Sequence, residues 1–314
     1  MRQAFVKTIS ELMQGDDSIM LLTADTGFHV FDEFQNVFPD RYLNVGISEA
    51  AMIGMAAGLA IDGKQVFVYG IAPFVTMRCF EQIRVCLCYP NLPVRIVGVG
   101  AGLTYGPAGM THHSIEDIAV MSCLPNMAVV CPGDPVEVRE AVRASVGLPG
   151  PCYLRLGKTG EPTIHTAGIE AFAIGRGIRI AEGSGIGIVA VGNMLETAVG
   201  VHQRLKDEGM DPELVSMHTV KPIDRDLILD LADRCHTIAT IEEHSVIGGL
   251  AGTVAGVVTG EGRTVRLQTF ALPDQYEHYA GSQAFIRSRC GLTVEAIASR
   301  LLECANGAGR SGSG

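Results

Sequence analysis

Glu49 opens a stretch whose following residues are almost all small or apolar, EAAMIGMAAGLA. A carboxylate in the first turn of a helix is stabilised by the positive end of the helix dipole, and the bland reading of Glu49 is no more than that. The small residues Ala50, Ala51, Gly54, Ala57 and Gly58 suggest more. So bare a face lets a second backbone approach closely, leaving the carboxylate in the dry surroundings where such groups handle protons.

Three further places carry side chains of catalytic type. GAGLTYGPAGMTHH (100–113) is a glycine-rich loop ending in His112 and His113. A loop histidine is most often simply solvated, and no third ligand stands near these two at metal spacing. Phe74, Met77 and Phe80 recur at three-residue intervals. They form either an ordinary core stripe on a helix or an aromatic face on which a flat heterocycle can stack. Arg155, in YLRLGK, reads as following a strand, where it can grip an anion or sit in a surface ion pair.

These residues need a scaffold that gathers them. Short apolar runs at 18–25, 65–70, 93–100 and 127–133 alternate with helical stretches, which predicts parallel strands joined by crossover helices. Ligands collect at the carboxyl ends of such strands, so Asp25, the 70–74 turn and the 100–113 loop are where chemistry should lie. After a break at 157–175 a second series begins, with strands expected at 186–192, 213–218, 236–241 and 264–270. The expected fold is therefore α/β, two doubly wound, mostly parallel-sheet domains each burying its own core. They span 1–160 and 175–305, with a linker at 161–174 and a small, polar tail at 306–314. GSGIG at 183–187 is too short and misplaced for a dinucleotide fingerprint, and no GxxxxGK[ST] occurs.

Composition narrows the function class. The 314 residues are 47% hydrophobic with a net charge of -10, no Trp and no dense Lys/Arg run, so a nucleic-acid or anionic-membrane footprint is missing. Nine cysteines without a CxxC pair read as thiols of a reducing compartment, the cytoplasm. Phe5, Ile9 and Leu12/Met13 follow helical spacing, unlike a signal peptide, and no stretch is long enough to cross a bilayer.

FPDRYLNVGISEAAMIGMAAGLA resembles the pyrimidine-domain motif shared by transketolases, 1-deoxy-D-xylulose-5-phosphate synthases and the β-subunits of 2-oxoacid dehydrogenases. The resemblance continues in family order through YGIAPF, GMTHHSIEDIA, CPGDPVEVREAV, YLRLGK, HTVKPID and IEEHSVIGGLAG, covering nearly the whole chain. It implies thiamine diphosphate as cofactor, with Glu49 bonded to the aminopyrimidine ring and Phe74 stacked on it. Ile47, Met77 and Phe80 are implied in the same pocket, and Asp25 as a cofactor-proximal carboxylate. His112 is implied to contact substrate hydroxyls, with His113 and His29 beside it, and Arg155 to grip a donor phosphate. Two departures stand out. Ala108 occupies the place of an Asp four residues before the active-site His, and no His lies between 94 and 106, where a phosphate-binding one is expected. His29 or Lys158 could compensate.

The same family holds the cofactor's diphosphate through Mg²⁺ on a GDG-then-Asn motif in a separate domain. GDD at 15–17 and GDP at 133–135 are the nearest strings here, and neither has the Asn. A divalent ion bridging phosphates needs its oxygen ligands, so those should come from a partner, an N-terminal transketolase subunit, assembled as two of each. The expected reaction is transfer of a two-carbon ketol unit from a ketose, phosphorylated or not, to an aldehyde. A 2-oxoacid dehydrogenase β-subunit is the alternative, but THHSIEDIA fits transketolases better. A non-catalytic α/β subunit is the other, and it would have no need of Glu49, Phe74 and His112 together.

Overall fold

The computed structural model describes residues 1–26, 30–158 and 160–308. The strands among them are Ile19–Thr23 (β1), Tyr42–Asn44 (β2), Gln65–Ile71 (β3), Val94–Val99 (β4), Ala128–Val130 (β5) and Cys152–Leu156 (β6). Further along come Ile178–Ala181 (β7), Gly185–Ala190 (β8), Glu213–Ser216 (β9), Thr219–Lys221 (β10), Cys235–Ser245 (β11) and Arg266–Leu272 (β12). They form a seven-stranded sheet in the order β10-β5-β6-β4-β3-β1-β2 and a five-stranded sheet in the order β12-β11-β8-β9-β7. All pairings are parallel except β10 with β5 and β7 with β9, so the α/β, mostly parallel expectation holds.

The first sheet is covered on both faces, and strand alternation sorts its side chains between them. Leu21, Phe67, Val97 and Leu154 face the helices Arg2–Gly15 and Pro135–Val146, meeting Phe5, Ile9, Met13, Val138 and Val142. Leu22, Val66, Val68 and Ile96 face the other way, onto Met52, Ile53 and Ala56 of the helix Glu49–Ile61. That packing fixes the rotation of the helix and turns Glu49 inward.

Several expectations need correction. The cluster behind Glu49–Ile61 continues through Val189, Val215 and Met217 to Leu250, Val254 and Val258, so the two domains share this layer in addition to a core of their own. β10 belongs by sequence to the second domain but pairs at the edge of the first sheet, Thr219 opposite Val130. Arg155 lies within β6, not after it. The last helix runs Val294–Ala308, so 306–308 are helical, and 309–314 lie outside the described residues.

The linker is pinned. Asp134 caps the helix Pro135–Val146 by accepting from Glu137 N–H at 2.7 Å, while Glu137 Oε2 reaches back to accept from Gly133 N–H, just before the cap, at 2.6 Å. The second oxygen of Asp134 takes the amides of Ile164 and His165, and His165 Nε2 lies 2.8 Å from Glu137 Oε1. All nine cysteines are free thiols. Among the described residues no helix is long and apolar enough to cross a membrane.

Candidate active site

β4, β3 and β1 are adjacent and parallel, so their carboxyl ends deliver the 100–113 loop, the 72–75 turn and Asp25 side by side. Next to β1, β2 ends at Asn44. There Asn44 Oδ1 accepts the Asp25 amide at 2.9 Å and the Gly46 amide at 3.1 Å. Gly46 has φ +73, a conformation that favours glycine, and it turns the chain into the helix that begins at Glu49. Asp25 itself is held at φ 49 and lines a separate cavity of about 160 Å³ with Thr26, Phe31, Asp32, Gln35, Tyr42 and Asn44.

Glu49 is 3% exposed, and its Oε2 accepts from Arg78 NH1 at 2.9 Å. The Arg78 guanidinium also lies over the Phe74 ring, 4.5 Å from its centroid. A guanidinium is flat and presents N–H donors at its edge. Between Glu49 and Phe74 there thus lies a flat group that presents N–H to the carboxylate and its face to the ring. Beneath them, Cys79 Sγ donates to Phe74 O at 3.3 Å, and burial together with the Glu49 charge pushes the Cys79 thiol up to about 12, keeping it a donor.

Phe74 connects this pair to the glycine-rich loop. The His112 ring meets Phe74 edge-on at 5.2 Å between centroids and Tyr105 at 6.1 Å. His112 Nδ1 is 3.0 Å from Thr111 Oγ1, so Nε2 is the ring nitrogen not engaged there. Lys158 Nζ lies 4.7 Å from the centroid of the Tyr105 ring. Glu49, Arg78, Phe74, His112, Tyr105 and Lys158 therefore form one connected series along the strand ends.

Other anticipated residues lie elsewhere. Arg155 is 1% exposed, and its Nε donates to Asp117 Oδ2 at 2.8 Å. Its NH2 donates to the carbonyls of Ser114 and Glu243, each at 3.0 Å. Burial pushes the Arg155 guanidinium pKa down, but Asp117, Cys131 and Tyr153 together outweigh it and raise it above its ordinary value. It is a buried core ion pair, not a surface one. His113 is also buried, with Nε2 3.5 Å from Gly106 O, and it lines a small cavity with Leu103, Ile115, Leu272 and Pro273.

The stripe Phe74, Met77, Phe80 does not sit on one helix. The turn Ala72–Val75 ends at Thr76 (φ -105, ψ -78), and a new helical segment starts at Phe80–Gln82 before the wider π-helical Ile83–Cys88. Phe80 packs partly against the core, while Met77 is half-buried. Ile47 is 77% exposed, and His29 lies outside the described residues. Arg78 was not foreseen, although a cation four residues after an aromatic is a readable signal. Among the described residues no group of three or more His, Cys, Asp or Glu could hold a metal ion.

Comparison with known proteins completes the picture. Residues 1–161 match the model of the transketolase pyrimidine binding domain and residues 175–297 that of the transketolase C-terminal domain. A putative transketolase C-terminal section from Methanocaldococcus jannaschii is 36% identical, covering 96% of this chain and 95% of the relative. An apulose-4-phosphate transketolase subunit of Phocaeicola vulgatus is 33% identical over 96% of each chain. A solved structure described as a split gene transketolase, inactive beta4 tetramer, matches with a TM-score of 0.87 at 35% identity, covering 96% of each chain.

Proposed function

Because the chain belongs to the transketolase family, we propose that it is the proton-handling subunit of a two-part, thiamine-diphosphate-dependent transketolase that moves a two-carbon ketol unit from a ketose to an aldehyde. The observation that carries this reading is the buried Glu49 carboxylate, which meets the Arg78 guanidinium lying over the Phe74 ring.

When bound, thiamine diphosphate supplies the electron sink that cleavage next to a carbonyl requires. This chain's residues supply position and proton control. Glu49 offers its carboxyl to a ring nitrogen in the place that Arg78 NH1 fills here, and its burial keeps water out of that exchange. Phe74 fixes the plane of the ring. His112 offers Nε2 to a substrate oxygen from the rim. Lys158, the cation beside Tyr105, replaces Arg155 as this chain's contact for a phosphate or other anionic group on the donor. Ile47 and Met77 remain assigned to the cofactor pocket, and Asp25 is assigned to the cofactor from the neighbouring cavity at the end of β1.

Magnesium and its ligands are assigned to the partner, an N-terminal transketolase subunit, with two copies of each chain. A relative of matching length that is named as one subunit of its transketolase, and a β-only tetramer described as inactive, support the need for a second kind of chain. The exposed side of the helix Glu49–Ile61, with Ala51, Gly54, Met55, Gly58 and Ile61, supplies a small apolar face for assembly. A cytoplasmic location is supported by the nine free thiols.

The test is co-expression with a GDG…Asn-bearing partner, followed by a donor and acceptor screen for two-carbon transfer. The complex should turn over, and the isolated chain should bind thiamine diphosphate with Mg²⁺ only weakly in calorimetry. Micromolar affinity of the isolated chain would sink the two-part reading.

A further inference from the structure

The loop carrying His112 is held from outside its own domain. Glu243, in β11, is fully buried, and its carboxylate accepts from the Leu103 amide, from Gln283 Nε2 at 2.9 Å to each oxygen, and from Arg287, whose Nε lies at 2.7 Å. Gly102, just before Leu103, has φ +59, and a Cβ there would stand 2.7 Å from Glu243 Oε1. Loop backbone and carboxylate are in direct contact. Further along, Gly106 backs onto the same domain, where an added Cβ would meet Gly281 O at 2.4 Å.

The loop also closes on itself. Gly102 and Ser114 exchange backbone hydrogen bonds at 3.0 and 2.8 Å, and Arg155 donates to both Ser114 O and Glu243 O. His112 stands between these two fixed ends. A pair of apolar residues would join two domains at lower desolvation cost than a buried carboxylate with its arginine. What the carboxylate adds is direction, because it fixes where the Leu103 N–H points and so the path of the loop.

We propose that Glu243, held by Arg287 and Gln283, is a positioning residue that sets where His112 stands against the substrate, so that the C-terminal domain takes part in the transfer without touching it. The inference rests on the reading of His112 as the substrate-contacting histidine.

Two variants test it. Glu243→Gln removes the charge, and Gly102→Ala keeps every polar group but pushes the loop off the carboxylate, serving the same test if the first variant fails to fold. The His112 Cε1–H resonance, identified by its loss in His112→Asn, is shifted by the Phe74 ring and should move in both variants. In the assembled complex kcat should fall between about 10- and 100-fold, the usual scale for small misplacements of a reacting group. In a His112→Ala background the same change should cost less than about twofold. An unmoved resonance, or equal losses in both backgrounds, overturns the positioning role. Near wild-type kcat in His112→Ala alone identifies failure of the His112 reading instead and removes the basis of the proposal.

Discussion

Arg78 donates to Glu49 Oε2 at 2.9 Å while its guanidinium lies over the Phe74 ring, so one cation ties the carboxylate to the aromatic face. The carboxylate needs a partner there, because a buried charge left alone is costly.

Glu49→Gln should therefore retain the fold and lose turnover. Gln keeps the shape and can still meet a flat ring, but it cannot hold the exchanging proton. In the assembled complex kcat should drop roughly 10²–10⁴-fold, the scale of general acid–base contributions. A residue that merely started a helix would cost well under about 1 kcal/mol of stability and leave kcat untouched. Steady-state kinetics beside a thermal melt separates the two.

Arg155 and Lys158 should part company. Arg155→Met leaves Asp117 buried without its cation and should destabilise the isolated chain by about 3–5 kcal/mol, read by denaturant titration. Its KM effects should be equal for phosphorylated and unphosphorylated donors. Lys158→Ala should leave stability unchanged and raise KM for a phosphorylated donor by about tenfold more than for a neutral one, the low end for a charged hydrogen bond. Equal KM changes in Lys158→Ala would remove it from substrate recognition.

These two residues also show what local pattern conveys. The turn at Gly46 and the helix starting at Glu49 are built from near neighbours, and the sequence signals for both are local. Arg155 looked like a surface or substrate residue because its partners, Asp117 and the Glu243 carbonyl, lie 38 and 88 residues away. Arg78 finds Glu49 across 29 residues. His112 and His113 are indistinguishable in sequence, yet His113 is buried beside Gly106 O while His112 meets Phe74 and Tyr105. Thr219–Lys221 is too short a strand for periodicity to reveal, and its partner is set by the fold.

The linker should answer to pH. Burial pushes the His165 pKa down, but its hydrogen bond and charge interaction with Glu137 outweigh this and hold it above the ordinary histidine value. A raised folded value means the contribution is fully present below the unfolded pKa of about 6.5 and is lost as pH rises through the folded one. Stability measured by denaturant titration should decline over that window. In His165→Asn this part of the decline should vanish, and an unchanged slope would show that the imidazolium contributes nothing.

The helix face around Gly54 and Gly58 offers a prediction of opposite signs. A Cβ at either position meets nothing within 4 Å in the chain alone. Gly58→Ala should raise the isolated chain's stability by about 0.5–1 kcal/mol through helix propensity. A bulkier Gly58→Leu should leave the chain folded yet weaken assembly, seen by light scattering of the mixed subunits. Undiminished assembly in Gly58→Leu would place the partner elsewhere.

Because Thr219–Lys221 closes the β5 edge of the first sheet, the amino-terminal domain is unfinished until residues well beyond its own boundary have been made. A fragment cut near residue 161 would present the β5 backbone as an open template for other chains, so it should self-associate. In the full chain the shared strand ties the two domains into a single melting unit, and a growing polypeptide must wait for its second half before the first can settle.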